Sequence, residues 1–484
     1  MSGGSDWSKR RLHFIGIGGA GMSGLALVCS RLGASVTGSD RSGSSYMERL
    51  RAAGLDPVVG HDAANLPAGA EVVVSTAIGA DNPELALARE RGIEPIHRGA
   101  LLAELCAEKR LIAIAGTHGK TTTTAMAVWA LRAIGADPAF FVGGEVPGVG
   151  EDGAAANAGW GEGEWALAEA DESDASFLRL RPEVAVVTNV EMDHHARWGS
   201  LAELHAAFEQ FVGPAEGVVL PVDADAFGGQ ERHLAANPLY GRIEAVKTVR
   251  RFDASVPGPA ELPLAVPGLH NRANARAALA AIGLAGLDAD AAAAALADFP
   301  GVRRRLEVKG SRGGVRIYDD YGHHPTEVRA ALSALRELRP TRLIAVFQPH
   351  LYSRTKALAE EFGAALALAD EVAVLDVYPA REQPVGELAG VSGLDVAQAA
   401  AERMGGRRVW WLPRADVAER ALADLLDRTG GYPDHGRDAD GSGPVLVTIG
   451  AGDVFKLGEA LSEASAVSLP RLAGQRNSGA EGEE

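Results

Sequence analysis

Gly116-Thr117-His118-Gly119-Lys120-Thr121 joins an apolar run, LIAIA, to a threonine-rich helical run that opens with Thr122. The ending Gly-Lys-Thr is that of a shortened Walker loop: main-chain amides cradle phosphate oxygens, Lys120 neutralises the terminal phosphates, and the Thr121 hydroxyl reaches Mg²⁺. The chain has seven lysines, so one at this position is not explained by abundance. An ordinary helix start is the plain alternative, and strand, loop, lysine and helix together argue against it.

Two further apolar runs end in acids. WALAEA ends in Glu169, before Asp171, Glu172 and Asp174, and VAVVTNV leads to Glu191, Asp193, His194 and His195. In a parallel sheet both ends lie on the edge that carries the phosphate loop. Carboxylates there, with phosphate oxygens and water, suit Mg²⁺, and the His194 imidazole completes a second site. Taken singly, each acid is equally well a solvated strand end or a helix cap. His195 reads as structural.

A second glycine loop lies nearer the start. Gly16, Gly18, Gly19 and Gly21 follow an apolar strand and open a helix, with Asp40 at the end of the next strand. The spacing is a dinucleotide fingerprint that brings helix amides to a diphosphate, so NAD and a UDP-sugar both satisfy it. A glycine turn needed only for strand and helix packing is the bland reading. Two phosphate loops imply two phosphorylated substrates.

The elements that must position these residues follow a βαβ rhythm: LHFIGI, GMSGLALVCSRLG, SVTGSD, YMERLRAAG and EVVVSTA. Short β-branched runs alternating with Ala/Leu helices predict a parallel sheet. The rhythm restarts at Arg110 and again with VRIYDDY, RLIAVFQ, EVAVLDVY and PVLVTIG. The expected domains are residues 1–108, 109–307 and 308–470, with a flexible tail at 471–484. Pro147 to Gly163 reads as an exposed connection, and Gly430 to Pro444 as a turn-rich insertion.

At about 150 residues per domain, a chain of 484 residues accommodates three. Hydrophobic residues at 46% and charged residues at 23% match a folded globular protein. The formal charge of −17 argues against nucleic-acid polymers and anionic membrane surfaces as partners. Cys29 and Cys106 lack CxxC spacing, which removes zinc clusters and fits a reducing compartment; no export signal or membrane span is visible, so the expected location is the cytoplasm.

Ten motifs in one order now stand together: GIGGAGMSG (16–24), AGTHGKTTTTAM (115–126), EADESDASFL (169–178), TNVEMDH (188–194), PGLHNRANA (267–275), VRRRLE (302–307), DDYGHHPTE (319–327), FQPHLYSRT (347–355), YPAREQP (378–384) and GAGDVFKL (450–457). Over nearly its whole length the chain resembles the Mur ligases. The resemblance implies an α/β fold of three domains: an N-terminal Rossmann-like unit, a central P-loop ATPase-like parallel sheet and a C-terminal Rossmann-like unit. It implies ATP-dependent ligation of L-alanine to the lactyl carboxylate of UDP-N-acetylmuramate through an acyl phosphate, with Mg²⁺, by a monomer or weak homodimer. The neighbouring alternative joins a ready-made tripeptide to the same acceptor.

The resemblance also assigns residues. Lys120 and Thr121 hold ATP phosphates and metal, and Glu169 and His194 resemble the family's metal ligands. His270, Asn271 and Asn274 sit beside the nucleotide, Asn274 at the adenine, while Arg305 and Asp320 close the nucleotide site. Leu351 stands where some relatives carry Arg, which leaves Arg354 for the alanine carboxylate. The helix LAELHAAFEQFV lacks the lysine that several sister ligases carbamylate, which favours the alanine-adding member. Alanine's amine must lose a proton before attack, and His324 and His350 are the expected general bases. A nicotinamide-dependent dehydrogenase would explain Gly16 to Gly21 but leaves the second loop and the acids without a role; a nucleotide-switched binding protein would hydrolyse ATP regardless of the sugar nucleotide.

Overall fold

The computed structural model describes residues 6–193, 197–222, 238–245, 247–252, 262, 264–429 and 443–462. His194, residues 430–442 of the insertion and the expected tail lie outside the described residues.

Three sheets follow one another along the chain. The first holds β1 (Arg11–Ile15), β2 (Ser35–Asp40), β3 (Val58–Val59), β4 (Glu71–Val74) and β5 (Ile96–His97), ordered β3-β2-β1-β4-β5 and wholly parallel. The order reverses beside β1, so the loop after that strand opens into the crevice where doubly wound sheets bind ligands. The second holds β6 (Arg110–Ala115), β7 (Ala139–Val146), β8 (Ala156–Gly159), β9 (Trp165–Glu169), β10 (Val184–Val187), β11 (Gly217–Pro221) and β12 (Thr248–Phe252), ordered β12-β11-β10-β6-β9-β7-β8. The third holds β13 (Glu307–Arg312), β14 (Val315–Asp320), β15 (Leu343–Phe347), β16 (Glu371–Val374), β17 (Val409–Trp411) and β18 (Val445–Ile449), ordered β13-β14-β18-β15-β16-β17. Among the strand pairs of the described residues, the edge pairs β7 with β8 and β13 with β14 run antiparallel and the rest parallel.

Continuous apolar runs become strands here because helices cover both faces of a parallel sheet. All five residues of β15 and of β18 are buried. In the central unit Trp129 packs edge-on to Phe299 and donates its indole N–H to the Ala295 carbonyl at 2.9 Å, which pins the helix after the phosphate loop to the later helices. One apolar cluster runs from Leu25 and Leu101 of the first unit to Phe177 and Phe208 of the second, so these two units share a core.

The stretch from Pro147 to Gly163 is not the exposed connection its Gly/Ala content suggests. It contains β8, which packs on helix Ala20–Arg31, and Asn157 donates its side-chain amide to the Ala20 carbonyl at 2.6 Å. A Cβ on Gly24 would lie 2.8 Å from Ala158 Cβ. Small residues on both sides permit that close approach, and the same composition mimics a loop.

Candidate active site

β6 sits between β9 and β10, so the loop after it is flanked by both acidic strand ends. Gly116 has φ of +135°, and a Cβ there would stand 2.0 Å from Thr188 Oγ1. Glycine is therefore required for the loop to seat against the end of β10. The seat is made by hydrogen bonds: Thr188 Oγ1 and Asn189 Nδ2 donate to the His118 carbonyl at 2.6 and 2.9 Å, and the His118 amide donates to Asn189 Oδ1 at 2.9 Å. Thr117 exchanges hydrogen bonds with the Glu191 backbone through its hydroxyl. Gly119, left-handed at φ of +83°, turns the chain into helix Lys120–Ala133.

Lys120 bends back over this loop, donating to the Gly116 and Thr117 carbonyls and lying 2.8 Å from Glu172 Oε2. Burial pushes the Glu172 carboxyl up to about 7 despite the lysine beside it. At Lys120 burial works the other way, but the charges of Glu172, Asp171 and Glu169 outweigh it and raise its pKa.

Thr121 and Glu169 form the oxygen-rich side of the site. The Thr121 hydroxyl donates to Glu169 Oε1 at 3.0 Å and the Gly143 amide donates to Oε2 at 2.7 Å. A hydroxyl and a carboxylate beside a phosphate loop are hard donors that fit Mg²⁺. A Cβ on Gly143 would stand 2.6 Å from Glu169 Oε2, so only glycine leaves the carboxylate where it is. Gly143→Ala is accordingly expected to displace Glu169 and lower turnover about 10- to 100-fold with little change in thermal midpoint. A Mg²⁺ titration of phosphate release checks this; unchanged metal dependence would contradict it.

A cleft lies between the central and C-terminal units. His118, Gly119, Thr121, Thr122, Asn271, Asn274, Arg305 and Asp320 all line it, together with His270. Asn274 accepts from the Thr123 hydroxyl at 3.1 Å, and Asn271 donates to the Pro267 carbonyl at 2.7 Å. Burial pushes His270 down to about 4, so it is neutral. Asp320 accepts from the Leu306 and Gly322 amides at 2.9 and 2.8 Å, holding the chain around Arg305; burial lifts its carboxyl to about 6. Arg305 lies 3.7 Å from Glu327 with its guanidinium over the Tyr321 ring.

His118 spans the two units. Its Nε2 is 2.9 Å from Glu191 and its Nδ1 3.4 Å from Glu327, while Thr326 donates to Glu191 at 3.0 Å. Burial alone would lower the imidazole, but the two carboxylates prevail and raise it to about 9. Its ionic tie across the cleft is complete below pH 6.5 and is lost as pH rises through about 9. The thermal midpoint is expected to fall between pH 7 and 9.5 more steeply than in His118→Gln; parallel curves would contradict this. Sequence reading did not single out Thr326 or Glu327. The usable signal was His324-Pro325-Thr326-Glu327, a capping box with Pro in the first turn of helix Pro325–Glu337.

His324 spends its Nδ1 as that cap, accepting from the Thr326 amide at 3.4 Å, and burial together with His118 lowers its pKa. His350 stacks on Tyr378, and burial reinforced by Arg354 pushes it down to about 4. Arg354 donates to Asp193 at 3.0 Å and lies 3.5 Å from His350 Nδ1. The structure thus separates the two expected bases: His324 lies beside His118, His350 beside Arg354. Leu351, at φ of +69°, starts the helix Tyr352–Leu366 that carries Arg354.

In the first unit Gly16 adopts φ of +82°, and the Gly18 amide donates to Asp40 Oδ2 at 2.9 Å. Gly19 caps helix Ala20–Arg31. Arg98, another residue not singled out from sequence, lies 3.4 Å from where a Gly21 Cβ would stand and donates to Asp171 and Asp174 at 2.8 and 2.9 Å. Burial opposes ionisation of Asp171, but Lys120 and Arg98 hold its pKa at about 2. Arg98 on Asp171 and Lys120 on the adjacent Glu172 therefore lie between the first glycine loop and the second.

Residues 11–110 match the family model described as Mur ligase family, catalytic domain; residues 114–282 match the Mur ligase middle domain and 304–429 the Mur ligase, glutamate ligase domain. The UDP-N-acetylmuramate–L-alanine ligase of Renibacterium salmoninarum is 43% identical across 94% of this chain and 96% of its own length. Among solved structures, a UDP-N-acetylmuramate-alanine ligase from Thermotoga maritima matches with a TM-score of 0.74 at 26% identity, covering 93% of this chain and 98% of that one. A murein peptide ligase from Psychrobacter arcticus shares the fold, with a TM-score of 0.65 at 24% identity over 95% of this chain and 100% of that one.

Proposed function

This chain belongs to the Mur ligase family, and we propose that it joins L-alanine to the lactyl carboxylate of UDP-N-acetylmuramate, converting ATP to ADP and phosphate, in peptidoglycan precursor synthesis. The observation that supports the reading is the pair of ion pairs Arg98–Asp171 and Lys120–Glu172 on adjacent acids, with Arg98 beside Gly21, which brings the first glycine loop close to the second. Alanine rather than a tripeptide follows from the 43% identity to an alanine-adding relative along almost the full chain.

A carboxylate is a poor acyl donor, so amide formation begins with its attack on the γ-phosphorus. The bond to the bridging oxygen breaks, ADP leaves and an acyl phosphate forms. The amine of alanine then attacks the acyl carbon, and phosphate departs with one former carboxylate oxygen. Thr121 and Glu169 would hold Mg²⁺, which would offset phosphate charge. Lys120 turns from Glu172 to the terminal phosphates, and Glu172, already lifted to about 7, takes up a proton instead of remaining a buried anion. Asn271, Asn274 and Arg305 bind the nucleoside and its phosphates, and Asp320 fixes the backbone beside Arg305.

Arg354 exchanges Asp193 for the alanine carboxylate. His350, pushed down to about 4 and so neutral, is too weak a base to hold the ammonium's proton. Next to that guanidinium it accepts a hydrogen bond from the incoming amine and orients it, and the proton passes to solvent, while His324, engaged as a helix cap, is placed to support His118. The C-terminal unit excludes water from the acyl phosphate. The enzyme is expected to act as a monomer or weak homodimer. No helix among the described residues is long and apolar enough to cross a membrane, and Cys29 and Cys106 are buried free thiols. We place the reaction in the cytoplasm.

Phosphate release with ATP, Mg²⁺ and UDP-N-acetylmuramate, comparing L-alanine with a muramyl tripeptide's free peptide, tests the assignment. Turnover with alanine is expected; turnover only with the peptide would reverse it.

A further inference from the structure

Glu145, at the end of β7, is 5% exposed and belongs to none of the groups assigned above. Its carboxylate meets two guanidiniums from two other parts of the molecule. Arg49 reaches it from helix Ser45–Ala52 of the first unit, and Arg303 reaches it at 2.7 Å from the segment entering the third. The Glu145 carbonyl also accepts from the Arg303 amide at 2.9 Å, so both the side chain and the backbone of Arg303 are fixed.

Each arm leads to a substrate loop. The helix that carries Arg49 is capped by Ser44, whose hydroxyl donates to the Gly18 carbonyl of the first glycine loop at 3.1 Å. Arg49 also donates to the Ala155 carbonyl, beside β8. On the other arm, Arg304 and Leu306 hold left-handed φ angles of +61° and +49°, conformations that persist in such residues only where the surroundings enforce them. The enforcing contacts belong to the C-terminal unit: Arg304 donates to Asp319 and to the Gly450 carbonyl, and the Leu306 amide donates to Asp320. Arg305, between them, lines the ATP cleft.

We propose that Glu145 is a positioning residue that couples the sugar-nucleotide loop to the seating of the C-terminal unit over the ATP cleft. The inference rests on the substrates assigned above. Filling the first glycine loop fixes helix Ser45–Ala52, Arg49 then holds the Glu145 carboxylate, and Glu145 holds Arg303 in the geometry that presents Arg305. A buried carboxylate shared by two guanidiniums suits this role, because each guanidinium competes for and orients the same two oxygens, so a shift of one alters the hold on the other. By linkage the coupling is reciprocal, so UDP-N-acetylmuramate tightens ATP binding and ATP tightens the sugar nucleotide.

The test measures dissociation constants of a non-hydrolysable ATP analogue with and without saturating UDP-N-acetylmuramate, for the parent protein, Glu145→Gln and Arg303→Met. In the parent the sugar nucleotide is expected to tighten the analogue about fivefold or more. In both variants that factor is expected to fall below about twofold, with the affinity for the analogue alone within about twofold of the parent. A merely structural role would weaken both affinities together and lower the thermal midpoint, which overturns the proposal. So would parent-like coupling in the variants, or a parent that binds both ligands without coupling. A parent that binds no UDP-N-acetylmuramate would instead overturn the substrate assignment and this proposal with it. Should Glu145→Gln fail to fold, Arg303→Met, altered at a half-exposed side chain, decides the outcome.

Discussion

Lys120→Met is expected to lower ADP formation by about 10³-fold while leaving the thermal midpoint within a few degrees of the parent. The loss is expected to be large because two anions, a carboxylate and a triphosphate, must approach each other, and in the proposed site Lys120 is the cation of the loop that would receive the triphosphate. The fold tolerates the change for a reason visible at Glu172. Its carboxyl already lies at about 7 with the lysine present, so removing that cation makes it take up a proton, while Asp171 keeps Arg98 as its partner at 2.8 Å. Isothermal titration with ADP and a steady-state assay separate binding from chemistry. A variant that keeps near-parent turnover would remove Lys120 from the phosphoryl transfer, and one that unfolds would show its partner to be structural.

Arg354→Met is expected to raise the KM for L-alanine about 100-fold, the loss of a charge-assisted carboxylate contact of about 2–3 kcal/mol. The KM values for ATP and UDP-N-acetylmuramate should stay near those of the parent. Asp193 is buried opposite Arg354, with the two side chains 8% and 9% exposed, so the single variant leaves a buried carboxylate without this partner. Arg354→Met combined with Asp193→Asn removes that complication, and the alanine KM of the double variant should remain high. If the double variant regains the parent KM, the effect of Arg354 is exerted through Asp193 and not on substrate. The pair also bears on His350, whose pKa is pushed down first by burial and then by Arg354. In Arg354→Met the acid limb of the rate profile should move to higher pH, because the imidazole gains protons more readily without the neighbouring cation.

The glycine loops were legible in the sequence because backbone geometry dictates the residue. Gly116 is glycine since any Cβ would meet Thr188 Oγ1, and Gly16 and Gly119 hold left-handed turns. The buried strands were legible because parallel sheets need continuous apolar runs, as in VLVTI. Contacts between distant segments were not. Arg98 meets Asp171 across 73 positions and Arg303 meets Glu145 across 158, and no local pattern marks either pair. Pro147 to Gly163 misled for a related reason: small residues that let β8 approach helix Ala20–Arg31 have the composition of a loop. Glu327 lay in a readable capping box, but its approach to His118 depends on how the third unit sits on the second.

The central claim is that ATP energises the sugar-linked acid by direct phosphoryl transfer to its carboxylate. UDP-N-acetylmuramate labelled with ¹⁸O in the lactyl carboxylate, turned over with ATP and L-alanine, tests this through the mass of the released phosphate. One carboxylate oxygen should appear in each phosphate, since the carbon–oxygen bond breaks when the amine displaces the acyl phosphate. Released phosphate free of label, with amide product formed, would contradict the account.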